Sequence, residues 1–77
     1  MLITVEYDRK GAVSIYMDGG GLDLLIDRLT KLKRHQVKGE HDHLMTPAWS
    51  GWELAEQPQG QGTELVHHLC LILKPAA

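Results

Sequence analysis

The chain has 77 residues and a formal net charge of −2, and it is 43% hydrophobic and 23% charged. That balance excludes a disordered polar chain. With no basic cluster beyond Lys31, Lys33 and Arg34, it also argues against a nucleic-acid partner. What fits is one small domain, residues 1–77, in which roughly 60% of the unfolded chain's surface is buried on folding, so burial against a second molecule would matter.

Leu2 to Tyr7 alternates, with Ile3, Val5 and Tyr7 on one side and Thr4 and Glu6 on the other. This is the pattern of a half-buried strand. Asp8-Arg9-Lys10-Gly11 suits a type I turn, with Gly11 free to take positive φ. Ala12 to Met17 alternates again, so the two segments predict a β-hairpin. Asp18-Gly19-Gly20-Gly21 breaks the alternation. From Leu22 the period changes to 3.6, and Leu22, Leu25, Ile26, Leu29 and Leu32 form one apolar stripe. Asp23 and Asp27 near its start and Lys31, Lys33 and Arg34 near its end complement the helix dipole. The spacing predicts a helix over about residues 21–36, stopped by Gly39. Triple glycine before a helix invites a phosphate-loop reading, but no G-x-x-x-x-G-K-[ST] pattern is present, and Asp18 and Asp23 would repel the anion. A tight strand-to-helix joint is the expected role.

His41 to Thr46 reads as a short extended piece ended by Pro47. Ala48 to Gly51 reads as a loop, Trp52 to Glu56 as a short strand, and Gln57 to Gly62 as a polar Gly/Pro-rich turn. Glu64 to Lys74 reads as the strongest strand, apolar on both faces from Leu69 onward and therefore central. The expected fold is α+β: a single domain ordered β-β-α-β-β, with a mainly antiparallel four-stranded sheet and one helix packed on one face. One helix covers one face only. The other needs the tryptophan loop, a partner, or a second copy, which makes a homodimer through the open sheet face an option.

The one cysteine, Cys70, allows no intrachain disulfide. Its neighbours Leu69 and Leu71 suggest a buried, inert thiol. The run Leu69–Leu73 is too short to span a membrane, and Met1 to Glu6 lacks the basic region of a signal peptide. A cytoplasmic protein with no membrane contact is expected.

Four groups of residues bear on function. His41 and His43 share a strand face, and with His67 or His68 opposite they could hold Zn²⁺, His41, His43 and His67 being the first choice. The competing reading has His43 and His67 as packed, hydrogen-bonded strand residues. Ser14 and Ser50 have no local signature around them, and Cys70 sits in an apolar strand where a thiolate is disfavoured, so no catalytic set is legible, and neither an enzyme nor a cofactor is expected. Trp49 and Trp52, three apart with Met45 just before, are residue types enriched at interface cores. One tryptophan is expected in the core and the other partly exposed. Glu40, Asp42, Glu53, Glu56 and Glu64 surround the same segment and could steer a basic partner. The expected partner-binding set is Asp42, Met45, Trp49, Trp52, Glu53 and Glu56.

The runs Gly21-Leu22-Asp23-Leu24-Leu25-Ile26, His41-Asp42-His43-Leu44-Met45-Thr46-Pro47-Ala48-Trp49, Glu53-Leu54 and Glu64-Leu65-Val66-His67-His68-Leu69 resemble the immunity protein 32 family of bacterial polymorphic-toxin systems. The resemblance covers most of the chain, from the helix to the last strand, and H-x-H-L-M-T-P-x-W is its most specific part. It implies a non-enzymatic cytoplasmic protein that binds and neutralises a cognate toxin. The alternatives are a small metal-binding or regulatory domain using its histidines, or a homodimeric adaptor.

Overall fold

The computed structural model describes residues 1–34 and 41–74. Strands β1 (Ile3–Tyr7) and β2 (Val13–Met17) pair antiparallel, with Val5 opposite Ile15. Their turn is the one expected. Asp8 N–H donates to the Ala12 carbonyl, the Asp8 carboxylate accepts from the Lys10 and Ala12 amides, and Gly11 sits at φ 98°.

Helix α1 (Gly19–Arg34) starts ahead of the predicted position because Asp18 caps it. Asp18 Oδ1 accepts the Gly21 N–H at 2.8 Å, the usual N-cap bond, and the Leu22 N–H donates to the Asp18 carbonyl. The same Oδ1 also accepts the Leu2 N–H at 2.9 Å, tying the helix start to the chain just before β1. The amides of Leu2 and Gly21 together hold the Asp18 carboxyl below its ordinary value. The triple glycine is therefore a joint, and Gly21 is the residue it most depends on. A Cβ there would lie 2.1 Å from the Leu2 carbonyl oxygen and 2.8 Å from Ile3 Cγ1. Gly21→Ala is expected to destabilise by about 2 kcal/mol or more, as overpacking against unyielding backbone does. A urea melt reads this directly, and an unchanged midpoint would mean that α1 can lift off β1 at no cost.

The apolar stripe is half buried. Leu25 and Leu32 are buried, whereas Leu22, Ile26 and Leu29 are exposed. The inward line runs through Gly21, Leu25, Arg28 and Leu32, because the bare glycine lets the helix approach closest there. The predicted helix end at 36, the Gly39 stop and Glu40 lie outside the described residues.

Strand β3 (His41–Met45) is followed by a single 3-10 turn, Pro47–Trp49, closed by Ser50 at φ 67°. The predicted strand over Trp52–Glu56 is instead a series of bends. It is held by the Leu54 N–H donating to the Met45 carbonyl and the Ala55 N–H donating to the Ile3 carbonyl. The predicted strand over 64–74 divides into β4 (Glu64–Leu65) and β5 (His68–Ile72). The division falls where the Val66 N–H donates to the Val5 carbonyl and the His67 carbonyl accepts the Thr46 N–H, so the chain changes sheets between adjacent residues.

The α+β class with antiparallel strands and one helix thus holds, but the strands form two small sheets, β2-β1-β4 and β3-β5. The central strand is β1. β5 pairs only with β3 among the described residues, so the expected central place of the last strand is overturned. The core is built from both sheets, the helix and the bends: Ile3, Val5, Leu25, Leu44 and Leu54, with Leu24, Val66, Leu69 and Leu71 against it.

The polar side of β1 is closed as well. Thr4 and Glu6 are fully buried. The cover is the polar segment after Gln57. The Glu6 carboxylate accepts four hydrogen bonds, from Thr4 Oγ1, Gln59 N–H, Gly60 N–H and Thr63 Oγ1, at 2.6–3.0 Å. Burial pushes this carboxyl up, but the four donors outweigh it and hold the pKa at about 2.

Candidate functional site

The register of β3 on β5 places His43 opposite Cys70, Met45 opposite His68 and His41 opposite Ile72. Opposed residues of an antiparallel pair share a face. His41, His43, Met45, His68, Cys70 and Ile72 therefore stand on one side of this small sheet. Leu44, Leu69 and Leu71 stand on the other and enter the core. Alternation has a direct consequence for Cys70: its leucine neighbours point inward, so the thiol points outward. It is half-buried, which corrects the expectation of an inert core cysteine.

One nitrogen each of His43 and His68, with the Cys70 sulfur, lie within 4.8 Å of one another. His43 Nδ1 and His68 Nε2 are only 2.6 Å apart and share a hydrogen bond. The His41 ring stands edge-on to His43 with centroids 4.7 Å apart. His67, the expected third imidazole, turns away from this group. Its Nδ1 shares a 2.7 Å hydrogen bond with the buried hydroxyl of Thr46, and its ring stacks on Trp49 at 5° between planes. Thus the grouping of His41, His43 and His67 is replaced by His43, His68 and Cys70. His67 keeps the packed, hydrogen-bonded role that the sequence also allowed.

Beside this face lies an aromatic surface. Trp49 is 55% exposed and Trp52 is 63% exposed, so neither tryptophan serves as the core residue expected of one of them. Both are nevertheless fixed. Trp49 rests on His67 and lies 6.0 Å from His68, and the 3-10 turn carrying it is closed by hydrogen bonds from Trp49, Ser50 and Gly51 back to Thr46 and Pro47. The Arg28 guanidinium stands 5.7 Å from the Trp52 ring centroid, within cation–π range.

Arg28 is the residue sequence reasoning passed over. It reaches from α1 to Asp42 on β3, with Nη1 at 3.0 and 3.1 Å from the two carboxylate oxygens, and its Nη2 lies 3.5 Å from Glu53 Oε2. Glu53 also accepts the Met45 and Trp52 amides. Burial raises its pKa, but these amides, its own amide and the charge of Arg28 outweigh that and hold the carboxyl below its ordinary value. Asp42 and Glu53, expected at a partner interface, are thereby engaged in the fold. Met45 is half-buried on the histidine face. Glu56 is exposed and accepts the Ala48 N–H at 2.6 Å, steadying the start of the tryptophan turn. Of the six expected contact residues, Trp49, Trp52 and Glu56 are the three that present themselves outward. The signal that could have found Arg28 is its place in the series 21, 25, 28, 32, where a cation inside a buried helical line calls for acidic partners across it.

No family model, curated protein or solved structure matches this chain. Among the described residues no helix is long and apolar enough to cross a membrane.

Proposed function

We propose that this protein is a non-catalytic inhibitor that docks on a partner protein through Trp49 and Trp52. On the resemblance of its motifs, that partner is a cognate bacterial toxin and the setting is the bacterial cytoplasm. The observation that carries the reading is the exposure of two tryptophans on rigid supports. An exposed indole is costly to keep in water, and a preorganised one loses little side-chain entropy when a partner covers it. Asp42 and Glu53 support this surface through Arg28, while Glu56 adds a negative rim suited to a basic target. Trp49→Ala and Trp52→Ala are each expected to weaken binding of the toxin domain encoded beside this gene by at least about 30-fold, the size of a hot-spot loss of about 2 kcal/mol. Calorimetry of the pair and protection of cells expressing the toxin measure it. Folded variants that bind and protect as well as wild type would remove the tryptophans from the interface.

One further observation favours a second reading, a homodimer; residues 59–63 close the polar side of β1, so that side is not its interface. The apolar surface lies at the β2 edge instead. Asp18 N–H donates to the Leu2 carbonyl and Asp8 N–H to the Ala12 carbonyl, which sets the phase of the β1–β2 ladder from both ends. By alternation, the backbone groups of Val13, Ile15 and Met17 point to the unpaired edge. Their side chains are exposed, as are Leu22, Ile26 and Leu29 of α1. Arg28 ties the helix to Asp42 on β3, and the helix also meets β2. The six side chains, 38–63% exposed, offer roughly 500 Å², in the upper range for the largest apolar patch of a monomer. A standard interface covers about 800 Å² per partner. Two copies joined β2 to β2, centred on Ile15, would bury this patch and satisfy both edges. Wild-type protein is then expected to sediment as a concentration-dependent dimer, and Ile15→Lys as a monomer with an unchanged circular dichroism spectrum. A monomeric wild type at all concentrations sinks this reading and leaves the first intact.

A further inference from the structure

We propose that His43, His68 and Cys70 form a binding site for a thiophilic transition-metal ion of the Zn²⁺ class. The proposal rests on the placement of donors and does not depend on the identity of the protein partner. Three donor atoms from three residues lie within 4.8 Å of one another. They are set there by register: His43 and Cys70 face each other across the ladder, and His68 precedes Cys70 by two residues on the same face. The back of that ladder is anchored in the core through Leu44, Leu69 and Leu71. The backbone that carries the three ligands is thus rigid, and only side-chain rotations remain to be made.

The distances suit a metal. Zn–N bonds of about 2.0–2.1 Å and Zn–S bonds of about 2.3 Å at tetrahedral angles place ligand atoms roughly 3.3–3.6 Å apart. The imidazole nitrogens at 2.6 Å would open by under about 1 Å and the sulfur would close by up to roughly 1.2 Å, changes within the reach of χ rotations. The chemistry suits the same ion. Two imidazoles and a thiolate select borderline and soft cations over Mg²⁺ or Ca²⁺, which demand oxygen ligands. The His43–His68 hydrogen bond gives way to the ion, the donating imidazole binding as its other tautomer with its N–H on the far ring nitrogen. The thiol gives up its proton on binding, so affinity falls as pH is lowered.

Three protein ligands leave a fourth position. His41 lies beside His43 on the same face, with ring centroids 4.7 Å apart, and is an imidazole placed to take it. Trp49, its ring centroid 6.0 Å from that of His68, places the group next to the proposed docking surface. Loading the site would fix His68, the second of the two imidazoles beside Trp49.

The test uses the purified full chain, stripped with EDTA and titrated with Zn²⁺ and separately with Co²⁺. One equivalent is expected to raise the thermal midpoint, reversibly with EDTA, because an ion that binds only the folded state stabilises it. Co²⁺ is expected to give a sulfur-to-cobalt charge-transfer band and the visible absorption of a tetrahedral centre, and to quench tryptophan fluorescence to saturation at one equivalent. Cys70→Ser should abolish the charge-transfer band. His43→Ala and His68→Ala should each lower Zn²⁺ affinity by more than the roughly 10–100-fold that a supporting residue costs, whereas His67→Ala should leave the stoichiometry unchanged. His41→Ala decides between a fourth protein ligand and water. Wild-type protein with no midpoint shift and no cobalt band overturns the proposal, whatever the variants do. So does a Cys70→Ser variant with wild-type affinity.

Discussion

Glu6→Ala is expected to destabilise the protein by about 3–5 kcal/mol, the cost of leaving buried donors without an acceptor. The carboxylate is fully buried and is the acceptor for Gln59 N–H, Gly60 N–H and the hydroxyls of Thr4 and Thr63. The hydroxyls can turn to other acceptors, but the two amides cannot. Glu6→Gln separates charge from shape. Whichever way its amide is oriented, the NH₂ group faces one of the two backbone N–H groups, so it too destabilises, by about 1–3 kcal/mol. The pH dependence is the sharper signature. The folded pKa of about 2 lies below the ordinary value of 4.5, so the ionised group contributes stability that is fully present above pH 4.5. That contribution is lost as pH falls from 4.5 toward 2. Urea melts across this window should show the wild type losing stability more steeply than Glu6→Gln, so the gap between them narrows in acid. Parallel curves would mean that Glu6 is not held as a buried anion.

Arg28→Met is expected to cost about 2–3 kcal/mol, the low end for breaking a buried pair, because Asp42 keeps some access to water. Methionine retains the apolar stem but leaves the carboxylates of Asp42 and Glu53 without their shared cation. The pKa of Glu53 should rise, since the Arg28 charge is one of the forces holding it down. Trp52 loses the guanidinium over its ring, so its fluorescence anisotropy should fall. Asp42→Asn tests the same linkage from the other end and should be milder, because Glu53 still neutralises the arginine. A full-strength effect in Asp42→Asn with none in Arg28→Met would place the importance in Asp42 alone and dissolve the network.

What could be read from the sequence was what is local. The β1–β2 hairpin, its Gly11 turn and helix α1 follow from periodicities over a few residues. The strand break at Val66–His67 could not be seen, since the alternation of Leu65, His67, Leu69 and Leu71 against Val66, His68 and Cys70 runs through it unbroken. Only the partners change, from Val5 on one sheet to Thr46 on the other. The buried line of α1 was misread for a related reason. Counting apolar side chains favoured Leu22, Ile26 and Leu29, whereas fit against β1 favoured a glycine and an arginine. At the site, His41, His43, Trp49 and Trp52 were singled out from spacing alone. The choice between His67 and His68 is not legible there, because the phase of β5 is set by β3, about 25 residues away. The Glu6 clamp depends on contacts across more than 50 positions, and no local pattern carries such information.

The placement of β1 also says something about the order in which the chain can fold. β1 precedes every element that flanks it, and the groups that neutralise its buried acid lie up to 57 residues later. During synthesis the hairpin can close early, but it must hold Glu6 in water until Thr63 has left the ribosome. Folding through such distant contacts is slower than the helix and hairpin content suggests, because the long loop must be closed before its contacts reward it. The nascent domain is therefore expected to remain sensitive to protease until the segment bearing Gln59 to Thr63 emerges, and to become resistant in a single late step.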